Sequence, residues 1–336
     1  MELIDLSCSD FEKFVSKQPC NNFLQSPEMA SRYEKKHIEH YLLGLKFNNN
    51  IEVAALVRAS TSRFGKIFKI SGGPILNYNS KNAQKLLESF TALISDFLKE
   101  KGGIALQISP NISASSSIKS YFCSLKYKYL GEYESAKWIY IIPTKDKDPN
   151  VMFKDFRRNH QRLIRRAEKS NLSIRELKPS ELKILKSIAA AAGERHGFKD
   201  PDLSYYKEMK NAFKDKVSFK VCELTQDEKT IPIMAGMFIY YGDEIVCPYS
   251  GSLKEYQRYG GAHFMHWTII QEAIKKNVSR YNLYGTHKNP ENGVYQFKLG
   301  FNGQSEELLG TFLLPLTFSG KILSLTKTTK EEREVR

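Results

Sequence analysis

Residues 244–266 read EIVCPYSGSLKEYQRYGGAHFMH, and the fold prediction depends mainly on this stretch. Its apolar start predicts a strand over Glu244–Gly251, and the amphipathic spacing that follows predicts a helix from about Gly261 to Asn277. A glycine-containing turn joins the two. The free amides and the dipole at the start of such a helix favour a phosphate in the turn. The stretch therefore predicts an α/β layer with an anion-binding edge.

The same alternation of strands and helices extends through both halves of the chain. Apolar runs that predict strands flank helical segments, among them the helix Asn82–Lys101 in the first half. The polar, proline-bounded segment Pro143–Asn150 is the best linker candidate. We therefore predict an α/β (α+β) protein of two domains, residues 1–147 and 148–336, with mixed sheets flanked by helices. The sequence contains no heptad run that would add a coiled coil.

Composition and charge favour a polyanionic partner. Lys and Arg outnumber Asp and Glu by 51 to 37, which gives a net charge of +14. Because the chain has neither a signal-like N-terminus nor about 18 consecutive apolar residues, we expect a cytoplasmic protein. The 5 cysteines are scattered, which favours reduced structural thiols. No spacing predicts a metal site, and we interpret His263 and His266 as structural or solvent-facing.

One predicted helix, Asn150–Ser170, concentrates the positive charge. An apolar stripe occupies one side, and the cations on the remainder are Lys154, Arg157, Arg158, Arg162, Arg165, Arg166 and Lys169. Like charges at helical spacing repel one another when no anion is present. The helix is either a polyanion-binding surface, which we favour, or a plain solvated face.

The glycine turn carries a second signal. The pattern Gln257-x-x-Gly-x-Ala262, between a predicted strand and a predicted helix, resembles the pyrophosphate loop of the GNAT acyl-CoA N-acyltransferases. A helix cap without a ligand is the alternative interpretation, because six residues with two glycines occur often by chance.

A series of short motifs runs in order along nearly the whole chain. They are Asn22-Phe-Leu-Gln-Ser26, Ser71-Gly-Gly-Pro-Ile75, Glu194-Arg-His-Gly197, Tyr249-Ser-Gly-Ser252, Arg258-Tyr-Gly-Gly261, Arg280-Tyr-Asn-Leu-Tyr-Gly285 and Gly293-Val-Tyr-Gln-Phe-Lys-Leu-Gly-Phe-Asn-Gly303. Each motif is weak alone, and their order makes the combination specific. Together they resemble the Fem family of peptidoglycan interpeptide-bridge aminoacyltransferases.

This resemblance implies two tandem GNAT-like acyltransferase domains that take an aminoacyl group from charged tRNA. The acceptor would be an amine of a nucleotide- or lipid-linked envelope precursor, with no cofactor and with a peripheral contact at the inner face of the membrane as a further option. The expected tRNA contacts are Arg158, Arg162, Arg165, Arg166 and Lys169. The helical hairpin that some members insert in the second domain is missing, because only a short turn at Thr225–Thr230 is available for it.

The resemblance also assigns roles to individual residues. Lys298 matches a family lysine thought to stabilise the tetrahedral oxyanion, and Phe297 is its flat apolar neighbour. Tyr249 matches a tyrosine near the reacting groups, and Tyr205 matches one beside the muropeptide. A surface lysine and two packed tyrosines are the alternatives.

Three departures from the family pattern concern the acceptor. Tyr33 stands where muropeptide-binding members commonly carry a lysine, Ser109 stands in place of an aspartate, and the segment at Pro201 lacks an arginine. We therefore expect an altered acceptor. The predicted acceptor contacts are Arg32, Tyr33, Lys35, Ser109 and Tyr205.

Two other functions stay open. The pattern at Gln257–Ala262 also fits an acyl-CoA-dependent N-acyltransferase that acts on an envelope aminosugar, in which CoA would be the donor. A catalytically degenerate member that only binds a precursor or RNA would be no enzyme at all.

Overall fold

A computed structural model describes residues 1–131, 137–197, 199–286 and 288–327. The chain forms two compact units, residues 1–137 with 307–336 and residues 138–306. Each unit contains a seven-stranded mixed sheet with helices packed against it. The predicted α/β class, with mixed sheets flanked by helices, is thereby confirmed.

The first unit is built around one seven-stranded sheet. Its strands are β1 (Glu2–Asp5), β2 (His40–Phe47), β3 (Asn50–Ser62), β4 (Gly65–Gly72), β5 (Gly103–Pro110), β6 (Lys128–Gly131) and β14 (Thr311–Pro315). Its helices are α1 (Cys8–Val15), α2 (Pro27–Lys35), α3 (Ala83–Glu100), α4 (Ser116–Ser124) and α11 (Phe318–Thr326). The strand order is β1-β2-β3-β4-β5-β14-β6, and β4 and β5 form a parallel pair. That pair stays in register from Ile67 opposite Ala105 to Gly72 opposite Pro110.

The second unit has the same kind of sheet. Its strands are β7 (Trp138–Pro143), β8 (Leu172–Glu176), β9 (Val217–Gln226), β10 (Lys229–Tyr241), β11 (Glu244–Ser252), β12 (Arg280–Thr286) and β13 (Gln304–Glu307). Its helices are α5 (Pro149–Asp155), α6 (Arg158–Lys169), α7 (Leu182–His196), α8 (Leu203–Phe213), α9 (Gly261–Lys275) and α10 (Gly293–Leu299). The order is β13-β7-β12-β11-β10-β9-β8, and β11 and β12 are parallel. They pair only from Glu244 opposite Arg280 to Val246 opposite Asn282.

A bulge in β12 coincides with the point where β11 and β12 part. The register of β12 against β7 shifts between Asn282 and Gly285, and the Asn282 Oδ1 accepts a 2.8 Å hydrogen bond from the Tyr284 amide. Tyr284 has a φ of 60°, a left-handed value that is unfavourable for an aromatic residue. The parallel ladder therefore ends three residue pairs after it begins, and the two strands open beyond it.

Two-residue turns join β2 to β3 and β9 to β10. Asn48 and Asn49 between β2 and β3 have φ values of 48° and 64°, and Asp227 and Glu228 between β9 and β10 have values of 49° and 61°. Two consecutive left-handed residues form the tight hairpin turn that matches strand twist. Since β9 and β10 join directly, the predicted absence of an inserted helical hairpin is confirmed for this described stretch.

The division of the chain differs from the predicted boundary between residues 147 and 148. Strand β7 lies before that boundary but pairs with β12 in the second unit, from Pro143 opposite Arg280 to Trp138 opposite Thr286. Strand β14 lies after it but pairs with β5 and β6 of the first unit. Hydrophobic periodicity indicates which face of a strand is buried and not which strand it pairs with, so it could not place these two segments. Residues 328–336, assigned by prediction to the second domain, lie outside the described residues.

The predicted basic helix Asn150–Ser170 is two helices. Helix α5 ends at Asp155, and α6 begins at Arg158. Between them Phe156 is extended, with a ψ of 150°, and its buried ring packs edge-on against Trp267 and Phe301. Burying this ring inside the aromatic core outweighs the helical continuity that the apolar stripe predicted.

Candidate functional site

A cavity of about 580 Å³ lies in the second unit beside the last residues of β11. Helix α6, the C-terminal end of α7, the first turns of α9 and helix α10 form its walls. Polar and aromatic groups at the cavity include Arg157, His160, Arg195, Gln257, His263, His266 and Phe297. Leu163, Ala192, Ile233, Met234 and Val294 supply apolar surface. The cavity is therefore largely apolar, with a few convergent polar groups, which is the usual make-up of a ligand site.

Two glycines permit the walls to approach closely. Gly260 is the N-cap of α9 with a φ of 79°, and a Cβ there would lie 2.5 Å from the Leu163 carbonyl oxygen. At Gly300, after α10, a Cβ would lie 1.9 Å from the His160 ring. A larger residue at either position would push α6 away from α9 or α10. The glycine turn singled out in the sequence thus packs α9 against α6.

The predicted strand, turn and helix N-terminus are confirmed, and they face the cavity. Gly261 and Ala262, the first residues of α9, line it together with Gln257. No side chain caps the N-terminus of α9 among the described residues. The positive end of the α9 dipole is therefore available to an anionic group in the cavity.

Three histidines gather on one wall. The His160 and His263 rings are 4.5 Å apart between centroids, and Phe297 lies 5.0 Å from His263 and 5.4 Å from His266. The His160 Nε2 is 2.8 Å from the Phe297 carbonyl oxygen. Burial lowers the pKa of His263 and His266 to about 3, and it also lowers the pKa of His160. At neutral pH this wall presents uncharged imidazoles.

Behind the wall, His266 joins a buried polar chain. The His266 Nδ1 is 2.6 Å from the Tyr281 hydroxyl, and Tyr281 also bonds the Cys247 thiol. Burial raises the pKa of the Cys247 thiol to about 11 and holds the pKa of Tyr281 well above its usual range, so both groups keep their protons. These contacts fix the orientation of the His266 ring.

Lys298 lies where β11 and β12 part. Its Nζ donates to three carbonyl oxygens of β12, those of Leu283 at 2.8 Å, Tyr284 at 3.3 Å and Gly285 at 2.5 Å. Burial lowers the pKa of Lys298 to about 8, and the charge of Lys298 in turn helps to lower the pKa of His266. The ammonium group thus satisfies carbonyls left unpaired at the β12 bulge, and its charge influences the cavity wall.

The other two predicted catalytic residues, Phe297 and Tyr249, have different surroundings. Phe297 lines the cavity with the histidines. Tyr249 instead packs with Tyr205 and Tyr206, at ring distances of 5.8 and 6.0 Å. Tyr206 is anchored by a 2.5 Å hydrogen bond from its hydroxyl to Asp200, which Lys186 also contacts at 2.7 Å. The structure therefore brings Tyr249 and Tyr205 together. On α10, Phe297 faces the cavity, whereas Lys298 faces the carbonyl oxygens of β12.

Helix α6 also forms a basic surface outside the cavity. A depression of about 700 Å³ is lined by Arg158, Gln161, Arg162, Arg165, Arg166, Lys169 and Ser170. All five predicted tRNA contacts line it. Within the described chain, none of these five cations forms a salt bridge with a carboxylate. Arg157, Asn159, His160 and Leu163 of the same segment face the cavity instead.

The predicted acceptor residues on α2 and β5 belong to the first unit. Tyr33 is buried, with its ring 6.1 Å from His40, and burial raises its pKa. The Arg32 guanidinium lies 5.9 Å from the Tyr33 ring, and Lys35 is exposed. The Ser109 hydroxyl is 2.9 Å from that of Thr311 on β14. Tyr33 is therefore a packing residue, so it does not replace the missing lysine as a surface contact.

The fold of the two units is that of a tandem GNAT-like acyltransferase. The chain superimposes on a tandem GNAT protein from the clavulanic acid biosynthesis pathway with a TM-score of 0.59 and 7% identity, covering 94% of this chain and 98% of the other. The crystal structure of FemX matches with a TM-score of 0.84 and 16% identity, covering 98% and 100%.

A model of the FemAB family matches residues 6–230 and 223–318, so the chain belongs to the FemAB family. The aminoacyltransferase FemA of Staphylococcus aureus (strain bovine RF122 / ET3-1) is 22% identical over 407 aligned residues, which cover 94% of this chain and 96% of FemA. The family resemblance found in the sequence motifs is thereby confirmed.

Sequence reasoning missed the histidine wall. The spacing of His263 and His266 on one helix was visible, but His160 joins them from a helix about 100 residues earlier. Gly300 in the Phe-Lys-Leu-Gly-Phe motif was the available signal, because a side chain at this position would collide with the His160 ring. In the described residues no group of three or more His, Cys, Asp or Glu side chains could hold a metal ion. None of the described helices has the length and apolar character needed to cross a bilayer.

Proposed function

We propose that this protein is an aminoacyltransferase that takes an aminoacyl group from charged tRNA and joins it to an amine of a cell-envelope precursor, most simply a peptidoglycan precursor. The family membership and the likeness to FemA support the transferase class.

One observation carries the tRNA proposal, namely that a single helix serves two surfaces. The segment Arg157–Lys169 lines the basic depression with one set of side chains and the cavity with another. Helix α6 has 12 residues, so it is about 18 Å long. Phosphates of an acceptor stem on the basic side would leave the aminoacylated 3′ end within reach of the cavity. An acyl-CoA carries only a few phosphates, so it would leave most of these five cations without an anionic partner.

The cavity suits aminolysis of an ester. The attacking amine must be unprotonated. Burial lowers the pKa of His263, His266 and Lys298, the charge of Lys298 also lowers the pKa of His266, and both effects would lower the pKa of an entering ammonium group. The amine nitrogen then attacks the ester carbonyl carbon, and the carbonyl oxygen becomes an oxyanion. As the carbonyl re-forms, the bond to the ribose oxygen breaks, and that oxygen takes up the proton that the nitrogen loses. The neutral wall favours the first step because it does not supply a proton to the amine.

Two residues of α10 position the donor and stabilise the oxyanion. Phe297 positions the donor against the histidine wall. Lys298 supports the oxyanion through its buried charge and holds the bulged β12 carbonyls in place. We place the protein in the cytoplasm, where charged tRNA is found.

The acceptor proposal rests on the first unit and on the tyrosine pair. Arg32, Lys35 and Ser109 in the first unit, and Tyr205 in the second, remain the proposed contacts. Because Tyr33 is buried, the cation expected beside a nucleotide diphosphate is missing. We therefore favour an envelope amine without a diphosphate, or a muropeptide held at the bilayer by its lipid, over a UDP-linked muropeptide.

One observation favours a second candidate, an acyl-CoA-dependent N-acyltransferase. The uncapped N-terminus of α9, at the GNAT-like pattern Gln257–Ala262, faces the cavity as a pyrophosphate site would. Both donors carry phosphate groups, so this feature alone does not separate them.

A transfer assay separates the candidates. The protein is incubated with radiolabelled aminoacyl-tRNA or radiolabelled acetyl-CoA and with extracted envelope precursors, and the label in the precursor fraction is counted. We expect label from tRNA only. Transfer from CoA alone would establish the second candidate, and no transfer from either donor with any precursor would indicate a binding protein.

A further inference from the structure

Exposed apolar side chains concentrate on one helix of the first unit. Five large hydrophobic side chains are exposed in the described residues, and three of them belong to α11. Phe318 is 77% exposed, Leu325 is 76% exposed and Ile322 is 39% exposed. Their spacing of four and three residues puts them on the same side of the helix. The helix thus carries an apolar ridge that faces solvent.

The ridge is held outward by contacts on the opposite side of α11. Leu323 is buried in a small cluster with Ile67, Ala105, Leu130 and Leu313. A Cβ at Gly320 would lie 1.9 Å from the Ile104 carbonyl oxygen, so the helix backbone is pressed against β5. Rotating α11 to bury the ridge would remove Leu323 from this cluster. The outward position of the ridge is therefore fixed by packing.

The ridge has cationic surroundings. From Phe318 to Lys327 there is no acidic residue, and Lys321 on the helix is exposed. The Lys128 Nζ binds the carbonyl oxygens of Ser324 and Lys327 at the end of α11, each at 2.9 Å. An apolar ridge with the exposed Lys321 at helical spacing from Phe318 and Leu325 complements an anionic lipid surface.

The size of the ridge argues against a protein partner. A stable protein interface buries about 800 Å² on each side, whereas a nine-residue helix is only about 13.5 Å long. The other exposed large hydrophobic residues do not extend the patch. Met1 adjoins β1, four strands from β5 in the sheet or about 19 Å away, and Val151 belongs to the second unit.

We propose that α11 docks this protein on an anionic lipid bilayer, with Phe318, Ile322 and Leu325 inserted between the headgroups and Lys321 at the phosphates. A narrow ridge of this kind enters the boundary between headgroups and acyl chains, where a lysine stem can reach the phosphate level. The contact is peripheral and reversible. It goes beyond the proposed transfer reaction and does not depend on it.

Vesicle flotation of the full-length protein tests this docking without donor or acceptor. One set of vesicles is phosphatidylcholine alone, and the other contains about one third phosphatidylglycerol. We expect binding to the anionic vesicles, and binding at least tenfold weaker to the neutral ones. The double variant Phe318→Ser/Leu325→Ser should bind the anionic vesicles at least tenfold more weakly than the wild type, and Lys321→Ala about fivefold more weakly.

Val151→Ser is the matched control, since it removes an exposed apolar side chain that is 59% exposed in the other unit. It should bind as the wild type does. Circular dichroism of each variant checks that the fold is retained, and light scattering reports the oligomeric state. Equal binding by the double variant and the wild type, or no flotation of the wild type, would overturn the proposal. So would a double variant that loses self-association while vesicle binding stays unchanged, because α11 would then be a protein interface.

Discussion

The two units contain the same element, a parallel pair of strands inside a mixed sheet, and they use it differently. In the first unit β4 and β5 stay paired up to Gly72 and Pro110. In the second unit, β11 and β12 part after Val246 and Asn282. Beyond that point, β12 supplies the carbonyl oxygens that bind Lys298, and the end of β11 forms part of the cavity wall. The same fold therefore keeps its parallel strands paired in the first unit and opens them beside a cavity in the second.

Lys298→Met gives the largest expected effect, because it removes the cation from the open junction. We expect kcat/KM for aminoacyl transfer to fall about a hundred- to thousandfold, the usual loss for a group that supports an oxyanion. The buried carbonyls of Leu283 and Gly285 would also lose their donor, so the urea midpoint should drop.

Lys298→Arg is the control that keeps a charge. Since the pKa of Lys298 is lowered to about 8, its protonated fraction falls as the pH rises through 8, and wild-type turnover should decline there. The arginine variant, whatever its activity at neutral pH, should not show this decline. A Lys298→Met enzyme with normal turnover and a lowered urea midpoint would restrict Lys298 to a structural role.

The histidine wall predicts acid sensitivity of the second unit. His263 and His266 have a pKa of about 3 when folded, compared with about 6.5 in an unfolded chain. Below pH 6.5 the unfolded chain binds more protons than the folded one, so the free energy of unfolding should fall as the pH drops from 6.5 toward 3. Each histidine contributes up to about 1.4 kcal/mol per pH unit.

Urea denaturation at pH 7, 6 and 5 measures this slope. The variant His263→Gln/His266→Gln should show a shallower slope, while His37→Gln, an exposed histidine of the first unit, should match the wild type. If the double variant retains the full slope, other groups titrate and the wall is not the acid-sensitive element.

The basic side of α6 should contribute a smaller effect on donor binding. Replacing Arg158, Arg162 and Arg166 together by Gln should weaken tRNA binding about tenfold or more at moderate salt. It should also reduce the slope of log Kd against log salt by about two to three, because fewer counterions are released. The matched control removes Lys81, Lys85 and Lys99, three exposed cations at α3 in the first unit. An unchanged slope in the α6 variant would reassign this surface to another anion or to solvent.

The smallest expected signal concerns the UDP-linked muropeptide. Because Tyr33 is buried and Ser109 bonds Thr311, the first unit lacks two charged contacts expected for that ligand. Each lost charge-assisted hydrogen bond weakens binding by about 1.5–3 kcal/mol. Calorimetric titration should therefore detect little binding, and Tyr33→Lys is not expected to restore it. Low-micromolar affinity would mean that other residues have replaced these contacts.

The sequence alone determined the class of this protein. Alternating strand and helix periods predicted mixed sheets with helices, the tight turn at Asp227 and Glu228 excluded an inserted hairpin, and ordered motifs identified the family. These features are local, because they depend on spacing within one element or on short stretches of chain. The charge of α6 was visible for the same reason, although its interruption at Phe156 was not.

Which elements meet depends on contacts that form only in the folded chain. The tertiary structure assigned β7 and β14 to sheets on the other side of the predicted boundary, and it joined His160 to His263 and His266. It also turned Lys298 toward the β12 carbonyls. Each of these contacts involves residues from different elements, and most join residues far apart along the chain. Periodicity specifies that a residue is buried, whereas its partner depends on how strands pair and part across the whole sheet.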